Sequence, residues 1–299
     1  MRCTRRLLPL LLALAQGATL ANVTSLANAT SGAKPTIRWM TVDFPPLFMV
    51  TGPEHGVGDY AQGIAVARLG GYEHALQAVP PNYQRIEYEM KTRGDVCFAG
   101  FLKTPARERF MVFSEPYLMM LPIQLFVPAD RPQPLAADNT VDLSGLLRHG
   151  GFRLGILGGR RYGASVDRIV EAYKDSPSVY RRYSKDQLGG LVSMMAAHEH
   201  GLDGILAYPS EINYLQKQPK ATPLALRAYP LKGAPAFMYG YFACSNSDLG
   251  RKVVEGINQT IPDIRAQVAE LYAQNLTPAA RETYLRLLRD QWGFELGPR

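Results

Sequence analysis

Long apolar runs are scarce in this chain. No stretch of the 299 residues is apolar over the roughly 18 positions that indicate a membrane-spanning helix. The one marked run, residues 7–14, follows an arginine-rich start and leads into small residues. That order is typical of a secretory signal peptide, with cleavage after Ala15 or Ala21. We therefore expect residues 1–21 to be removed and the mature protein to be periplasmic or secreted.

Cysteine and histidine are also scarce, with three and five residues respectively. Cys3 precedes the apolar run, so it is not placed to carry a lipid anchor at a cleavage site. Cys97 and Cys244 are far apart in the sequence and have no histidine cluster beside them, which does not indicate a zinc site. His198 and His200 are two residues apart and would point in different directions on a helix. We therefore expect no metal ion and no cofactor.

Motifs for catalysis and for nucleic-acid binding are missing as well. The chain has no Gly-x-Ser-x-Gly turn and no His-Glu-x-x-His pair. Removal of the three leader arginines lowers the formal net charge from +7 to about +4. Basic residues occur as pairs, Arg160 with Arg161 and Arg181 with Arg182, and not as runs with interleaved aromatics. The positive surplus suits an anionic ligand or ordinary solubility, and we expect no nucleic-acid partner.

What the chain does have is the length for two lobes. About 278 residues remain after cleavage, more than a single core usually holds. Two passages are similar: a helical stretch ending at Gly94 runs into an apolar strand at 96–100, and another ending at Gly201 runs into one at 204–208. Glycine suits the left-handed end of a helix. The repeat predicts one equivalent helix-to-strand step in each lobe.

The hydrophobic pattern alternates between strand and helix, which predicts an α/β architecture. We expect strands at 37–42, 121–128, 153–159 and 238–244, and helices at 63–76 and 164–173. Residues 249–299 read as helices, with Ser247 as the cap of the first. The strands at 121–128 and 238–244 would carry the chain into the second lobe and back.

One segment is more specific than these patterns. Thr104 and Arg107 directly follow an apolar strand, and Phe113, Ser114, Pro116 and Tyr117 come next. The segment resembles the Thr-x-x-Arg and Phe-Ser-x-Pro-Tyr signature of the amino-acid-type (family 3) extracellular solute-binding proteins of ABC transporters. Residues 39–46 and the glycines Gly56 and Gly58 are similar to that family's first strand and loop. The resemblance covers residues 36–292.

The resemblance implies a type II periplasmic-binding-protein fold, with two α/β lobes joined by a two-segment hinge and a ligand cleft between them. Residues 36–124 and 240–299 would form the first lobe, and residues 125–239 the second. In that topology the strands of Cys97 and Cys244 would be neighbours. An exported compartment permits oxidation, so a disulfide and two buried thiols both stay open.

In the first lobe, the family's carboxylate-binding arginine corresponds to Arg107, whose planar guanidinium can grip a carboxylate with two parallel donors. Phe44 corresponds to an aromatic residue that packs over the ligand. Gly100 and Thr104 are the other ligand-binding residues expected in this lobe. Each residue also has a structural interpretation. Arg107 could be a solvated helix residue, and Phe44 could belong to the lobe core. Thr104 could only cap the helix that begins at Pro105. Gly100 and Leu102 replace hydroxyl residues of the family.

In the second lobe, Arg160 and Arg161 lie near an expected helix start, where free N–H groups favour an anion. Ordinary surface arginines are the alternative. The family's aspartate that pairs the ligand ammonium corresponds to Tyr208, and a phenol does not neutralise an ammonium. Glu211 could replace it or be an exposed helix residue. The ligand therefore need not be a standard α-amino acid.

We expect an exported binding protein and not an enzyme. It would capture a small carboxylate-bearing solute, an amino acid or a related compound, act as a monomer and deliver the solute to a membrane permease. One alternative is a stand-alone sensor or interaction module of the same fold. Another is a cyclohexadienyl-dehydratase-like enzyme, for which Glu115 and Glu211 are the acid–base candidates.

Overall fold

The computed structural model describes residues 33–50, 55–80, 83–133, 135–184, 187–293 and 296. The expected signal peptide and Cys3 lie outside these residues. Within them, no helix combines the length and the apolar character needed to cross a membrane.

Strands and helices alternate through most of the described chain. The first part contains β1 (Thr36–Val42), α1 (Val57–Arg68), β2 (Glu73–Val79), α2 (Tyr83–Thr92), β3 (Val96–Phe101), α3 (Pro105–Glu108) and β4 (Met111–Met120). Then follow β5 (Gln124–Pro128), α4 (Leu143–Arg148), β6 (Leu154–Leu157), α5 (Ala164–Ala172), β7 (Val179–Arg182), α6 (Gln187–Ala196), β8 (Gly204–Ala207), α7 (Pro209–Gln216) and β9 (Leu226–Pro230). The last part contains β10 (Met238–Ser245), α8 (Asp248–Gln274) and α9 (Pro278–Trp292).

The strands form two five-stranded sheets, with the orders β2-β1-β3-β10-β4 and β7-β6-β8-β5-β9. In each sheet four strands run in one direction, and a single strand, β10 in the first sheet and β5 in the second, runs antiparallel to both of its neighbours. β10 pairs with β3 in the first sheet, and β5 pairs with β8 in the second. The repeated helix-to-strand steps, α2 to β3 and α6 to β8, therefore occupy equivalent places. This arrangement confirms the predicted α/β class.

The chain passes between the sheets twice, through residues 121–123 and through residues 231–237. The backbone N–H of Leu121 donates to the Tyr272 hydroxyl at 3.0 Å, which ties the first crossing to α8. The lobe bounds stay a prediction, with 36–124 and 240–299 in the first lobe and 125–239 in the second. Sheet membership assigns each strand to a lobe, but it does not assign every loop.

The long helix α8 completes the first sheet's core. Val253, Ile257, Ile261 and Ile264 are fully buried along one stripe, as the spacing predicts. Ser247 caps the helix by accepting from the Gly250 N–H at 2.9 Å.

Some expected boundaries are wrong. The helix expected at 63–76 ends at Arg68, and Glu73–Val79 is the edge strand β2. Gly70 and Gly71 separate the two, because paired glycines favour a break over helix continuation. The strand expected at 121–128 begins only at Gln124, since residues 121–123 form the crossing and contain Pro122. Pro262 lies inside α8, although proline usually kinks or ends a helix.

A disulfide joins the two sheet strands that carry cysteine. Cys97 of β3 lies opposite Cys244 of β10 in the antiparallel register, and the two sulfur atoms are bonded at 2.01 Å. Both residues are buried. Of the two alternatives left open by the sequence, the structure contains the disulfide.

Candidate ligand-binding cleft

A small cavity of about 50 Å³ lies between the two sheets. Its walls are mainly aromatic and apolar, and they include Phe48, Tyr83, Phe101, Tyr117, Leu118 and Met120. Arg107, Arg160, Arg161 and Tyr208 supply the polar part of the lining. The volume is below the roughly 300–1,000 Å³ of pockets that hold drug-sized ligands. The side chains around Arg160 explain why so little space is left.

Arg160 follows β6 in the tight turn that Gly159 makes possible with φ +76°. Its guanidinium carbon lies 4.5 Å from the ring centre of Phe44, 4.9 Å from that of Tyr208 and 5.6 Å from that of Tyr162. These distances allow cation–π attraction, which strengthens when the cation is desolvated. A second-lobe side chain thus reaches an aromatic ring of the first lobe across the cleft.

Glu211 neutralises this buried guanidinium. Arg160 Nη2 donates to Glu211 Oε1 at 2.7 Å, and the two side chains are only 5% and 2% exposed. Burial by itself would lower the pKa of Arg160, but Glu211 and the neighbouring phenols raise it above its ordinary value. Arg160 is therefore charged at any pH at which the protein folds.

The second oxygen of Glu211 is also occupied. Glu211 Oε2 accepts from the Tyr208 N–H at 2.9 Å, at the start of α7. The reading of Glu211 as an exposed helix residue is therefore wrong, because its carboxylate holds Arg160 and the helix end together. It does not offer a free oxygen to a ligand ammonium.

One donor of Arg160 is left over. Its Nη1 is buried and has no hydrogen-bond partner among the described residues. A buried donor without a partner costs free energy, and more so on a charged group. A hydrogen-bond acceptor brought into the cleft by a ligand would remove that cost.

Arg107 lies in the same lining but is held by the first lobe itself. Its Nε donates to Glu87 Oε1 at 3.0 Å, its Nη1 donates to the Leu102 carbonyl at 2.9 Å, and its guanidinium stacks at 4.4 Å over Phe101. The side chain is 6% exposed, so the solvated alternative is wrong. Glu87 of α2 is the carboxylate that holds it.

Other predicted residues lie around the cavity in different roles. Thr104 caps α3, with its Oγ1 accepting from the Arg107 N–H at 3.4 Å. Gly100 lines the cavity, and a Cβ there would approach the rings of Phe48 and Phe98 to 2.6 Å. Phe44 is buried and packs beneath Arg160, one layer behind the cavity wall. The cavity lining thus contains Gly100, Arg107, Arg160, Arg161 and Tyr208, while Phe44 and Thr104 support it.

Arg160 and Arg161 lie just before the helix that was predicted to begin at Ala164. α5 begins at Ala164, so both arginines lie in the preceding turn. Asp167 in the first turn of α5 accepts from the Tyr162 N–H at 2.8 Å, and a carboxylate of the chain therefore already faces this helix end. Arg161 is exposed and also borders a neighbouring polar cavity of about 340 Å³.

Comparison with solved structures identifies the architecture. The chain is similar to an arginine 3rd transport system periplasmic binding protein from Legionella pneumophila, with 15% identity, a TM-score of 0.56, and 81% of this chain and 100% of that chain covered. It is similar to an ancestral arginine-binding protein bound to glutamine, with 16% identity, a TM-score of 0.58, and 81% and 98% covered. The chain has the periplasmic-binding-protein fold.

A third protein of this fold is a histidine kinase sensor domain, with 15% identity, a TM-score of 0.58, and 82% of this chain and 99% of that chain covered. No family model matches the chain, and no curated protein matches it in sequence. The neighbours with this fold are thus binding proteins and a sensor domain.

The acid–base candidates are poorly placed for an enzyme on the periplasmic-binding-protein fold. Glu115 lies on β4 with its carboxylate 63% exposed and 3.5 Å from Arg265. Glu211 is bound by Arg160 and by the backbone of Tyr208. Neither residue is one of the described residues that line the cavity. Within the same described chain, no three histidine, cysteine or carboxylate side chains are grouped to hold a metal ion.

Several lining residues were not predicted. Tyr117 belongs to the signature, and its hydroxyl donates to the Ala99 carbonyl; burial raises its pKa. Tyr83 at the start of α2 packs between Phe44 and Phe101, and burial raises its pKa as well. The resemblance of the Phe-Ser-x-Pro-Tyr segment to the family signature could have indicated Tyr117. Nothing in the local sequence indicated Tyr83.

Proposed function

We propose that the chain is an exported solute-binding protein that captures a small carboxylate-bearing solute between its two lobes for ABC-type uptake. The observation that carries the proposal is the buried guanidinium of Arg160, which lines the cavity and has a donor without a partner. A carboxylate accepts strongly from a guanidinium because both groups are charged and planar. The site residues of the proposal are Phe44, Gly100, Thr104, Arg107, Arg160, Arg161 and Tyr208.

The charge of the cleft supports an anionic ligand. Three arginines line the cavity, and no carboxylate lines it among the described residues. Glu87 and Glu211 offset Arg107 and Arg160 from outside the lining. A low-dielectric cleft lined by positive charge attracts an anion more strongly than the open surface does. Amino acids and related acids are the ligand class that this supports.

Entry of a solute requires the lobes to separate, because the cavity of about 50 Å³ holds only a few water molecules. Residues 121–123 and 231–237 are the two crossings at which a hinge would open. A solute would favour the closed state in proportion to its greater affinity for that state. The two lobes of the proposal are 36–124 with 240–299, and 125–239.

The comparisons support a transport role and a second candidate. The Legionella protein belongs to an arginine transport system, which favours delivery to a membrane permease from a periplasmic location. The histidine kinase sensor domain favours a sensor or interaction module of the same fold. Co-purification with a permease would support the first role, and binding to a signalling partner would support the second.

Thermal-shift screening of residues 22–299 tests the proposal. The panel contains amino acids, dicarboxylates, short peptides and aromatic acids. A solute that binds only the folded protein should raise the melting temperature in a saturable way. No shift with any compound of the panel would contradict the proposal.

Two cleft variants locate the site. Arg160→Gln and Arg107→Ala should each weaken solute binding by about 2–5 kcal/mol, because each removes a buried charged partner. Arg286→Gln is the control, since Arg286 is exposed on α9. Circular dichroism checks that each variant folds. Unchanged affinity in a folded variant would remove that arginine from the site.

A further inference from the structure

The charged side chains that line the cavity are all positive. Arg107, Arg160 and Arg161 line it, and no carboxylate does so among the described residues. An α-amino acid brings both a carboxylate and an ammonium into such a cavity. The lining offers charged donors for the carboxylate but no charged acceptor for the ammonium.

The nearest carboxylates are already occupied by the chain. Glu211 uses one oxygen for Arg160 at 2.7 Å and the other for the Tyr208 N–H at 2.9 Å. Glu87 Oε1 accepts from Arg107, and its Oε2 lies 4.0 Å from Lys91 Nζ. Neither carboxylate lines the cavity, and each neutralises a buried arginine, so a ligand ammonium would have to compete with that arginine for the negative charge.

Two backbone carbonyls of the wall already accept hydrogen bonds from the protein. The Ala99 carbonyl accepts from the Tyr117 hydroxyl, and the Leu102 carbonyl accepts from Arg107 Nη1. An ammonium has three donors, and leaving them without acceptors in a buried site is costly. The arginines around it would add like-charge repulsion.

The remaining walls favour an apolar ligand body. Phe48, Phe101, Leu118 and Met120 face the cavity, and burial of apolar surface against such side chains is favourable. Resting on the function proposed above, we infer that the cleft selects an organic monocarboxylate with an apolar body and no ammonium, and that Arg160 Nη1 donates to its carboxylate. Glu211 is then a positioning residue, because it holds Arg160 without facing the ligand.

Matched ligand pairs test the inference by titration calorimetry on the mature wild-type protein. The pairs are 3-methylbutanoate with L-valine, and 3-phenylpropanoate with L-phenylalanine; the members of each pair differ only in the α-ammonium. In at least one pair the acid should bind about tenfold or more tightly than its amino acid, the scale of one unsatisfied charged group. The small and the large pair together show how far the cavity expands.

The carboxylate itself is tested with 3-phenylpropanamide and 3-methylbutanamide, which replace the charge by a neutral amide. Wild-type protein and the Arg286→Gln control should prefer acid over amide, and Arg160→Gln should lose most of that preference. An equal preference in folded Arg160→Gln protein would overturn the role of Arg160.

The remaining outcomes separate the inference from the proposed function. Amino acids that bind as tightly as their deaminated partners, or tighter, would overturn the inference and leave the proposed function in place. The same holds if only dicarboxylates or peptides of the screening panel bind. If neither these pairs nor any compound of the panel binds, the proposed function fails together with the inference.

Discussion

At the scale of single residues, the sequence located the arginines of the cleft but not their partners. Arg160 was predicted from its place near an expected helix start, and Arg107 from its place in the signature. Their partners are Glu211, 51 residues away, and Glu87, 20 residues away. Pairings at such separations depend on how helices pack beside strands, which no local pattern contains.

Asp59 is the residue whose environment makes a pH-dependent prediction. Its carboxylate accepts from Thr41 Oγ1 at 2.9 Å and from the N–H groups of Met49 at 2.5 Å and Gly56 at 3.2 Å. Burial raises its pKa despite these hydrogen bonds. The folded protein therefore holds the proton more tightly than the unfolded chain, so this residue's contribution to the free energy of unfolding falls as the pH rises.

The measurement is urea unfolding of wild type and Asp59→Asn between pH 4 and 7, about the range above the ordinary pKa of aspartate. The wild-type free energy of unfolding should fall relative to that of Asp59→Asn as the pH rises. Asp138→Asn is the control, because hydrogen bonds from Thr140 lower the pKa of Asp138. Its contribution is lost only below the ordinary aspartate pKa, so its difference from wild type should stay nearly flat over this range. A difference that stays flat or grows for Asp59 would contradict the prediction.

At the scale of elements, the two predicted helix caps, Ser247 and Thr104, are confirmed. Ser247, Thr104 and Thr277 each cap a helix by accepting from a backbone N–H. Glycine pairs and single prolines were harder to interpret. Gly70 and Gly71 ended α1 early, whereas Pro262 did not end α8, since Ile261 and Ile264 on either side are anchored in the core.

The cap at Ser247 predicts a measurable loss of stability. Its Oγ accepts from the Gly250 N–H at 2.9 Å and donates to the Gly94 carbonyl at 2.6 Å, so it joins α8 to the turn before β3. Ser247→Ala should lower the free energy of unfolding by about 1 kcal/mol, the usual cost of a lost N-cap.

Thr277→Ala is the matched control, because the hydroxyl of Thr277 caps α9 with a longer contact of 3.4 Å. Among the described residues it has no second hydrogen bond to the turn before a strand, as Ser247 has. Urea unfolding should show the larger loss for Ser247→Ala, with the affinity for the solute unchanged. If Ser247→Ala lowers the free energy of unfolding by no more than Thr277→Ala does, the hydrogen bond to the Gly94 carbonyl does not contribute to stability.

At the scale of the whole molecule, the disulfide encloses a large part of the chain. Cys97 and Cys244 are 147 residues apart in the sequence, and every strand of the second sheet lies between them. Bridging such a long loop restricts the unfolded chain strongly. Reduction of the wild-type protein should therefore lower its free energy of unfolding by about 2–5 kcal/mol.

The double variant C97A/C244A supplies the control, because a reductant should change the stability of wild type and leave that of the variant unchanged. Thiol titration of denatured protein that begins at residue 22 should find no free thiol. Two titratable thiols, or a stability indifferent to reductant, would contradict the bond.

The sequence by itself determined the α/β class, the order of most strands and helices, and the arginines near the cleft. These follow from periodicity, from cap residues and from one motif, all of which act over a few neighbouring positions. Only the tertiary structure decided that Cys97 and Cys244 are bonded, that Glu211 is buried against Arg160, and that Glu87 holds Arg107. The physical reason is that these pairings depend on the distance between residues on different elements, which is set when helices and strands pack together.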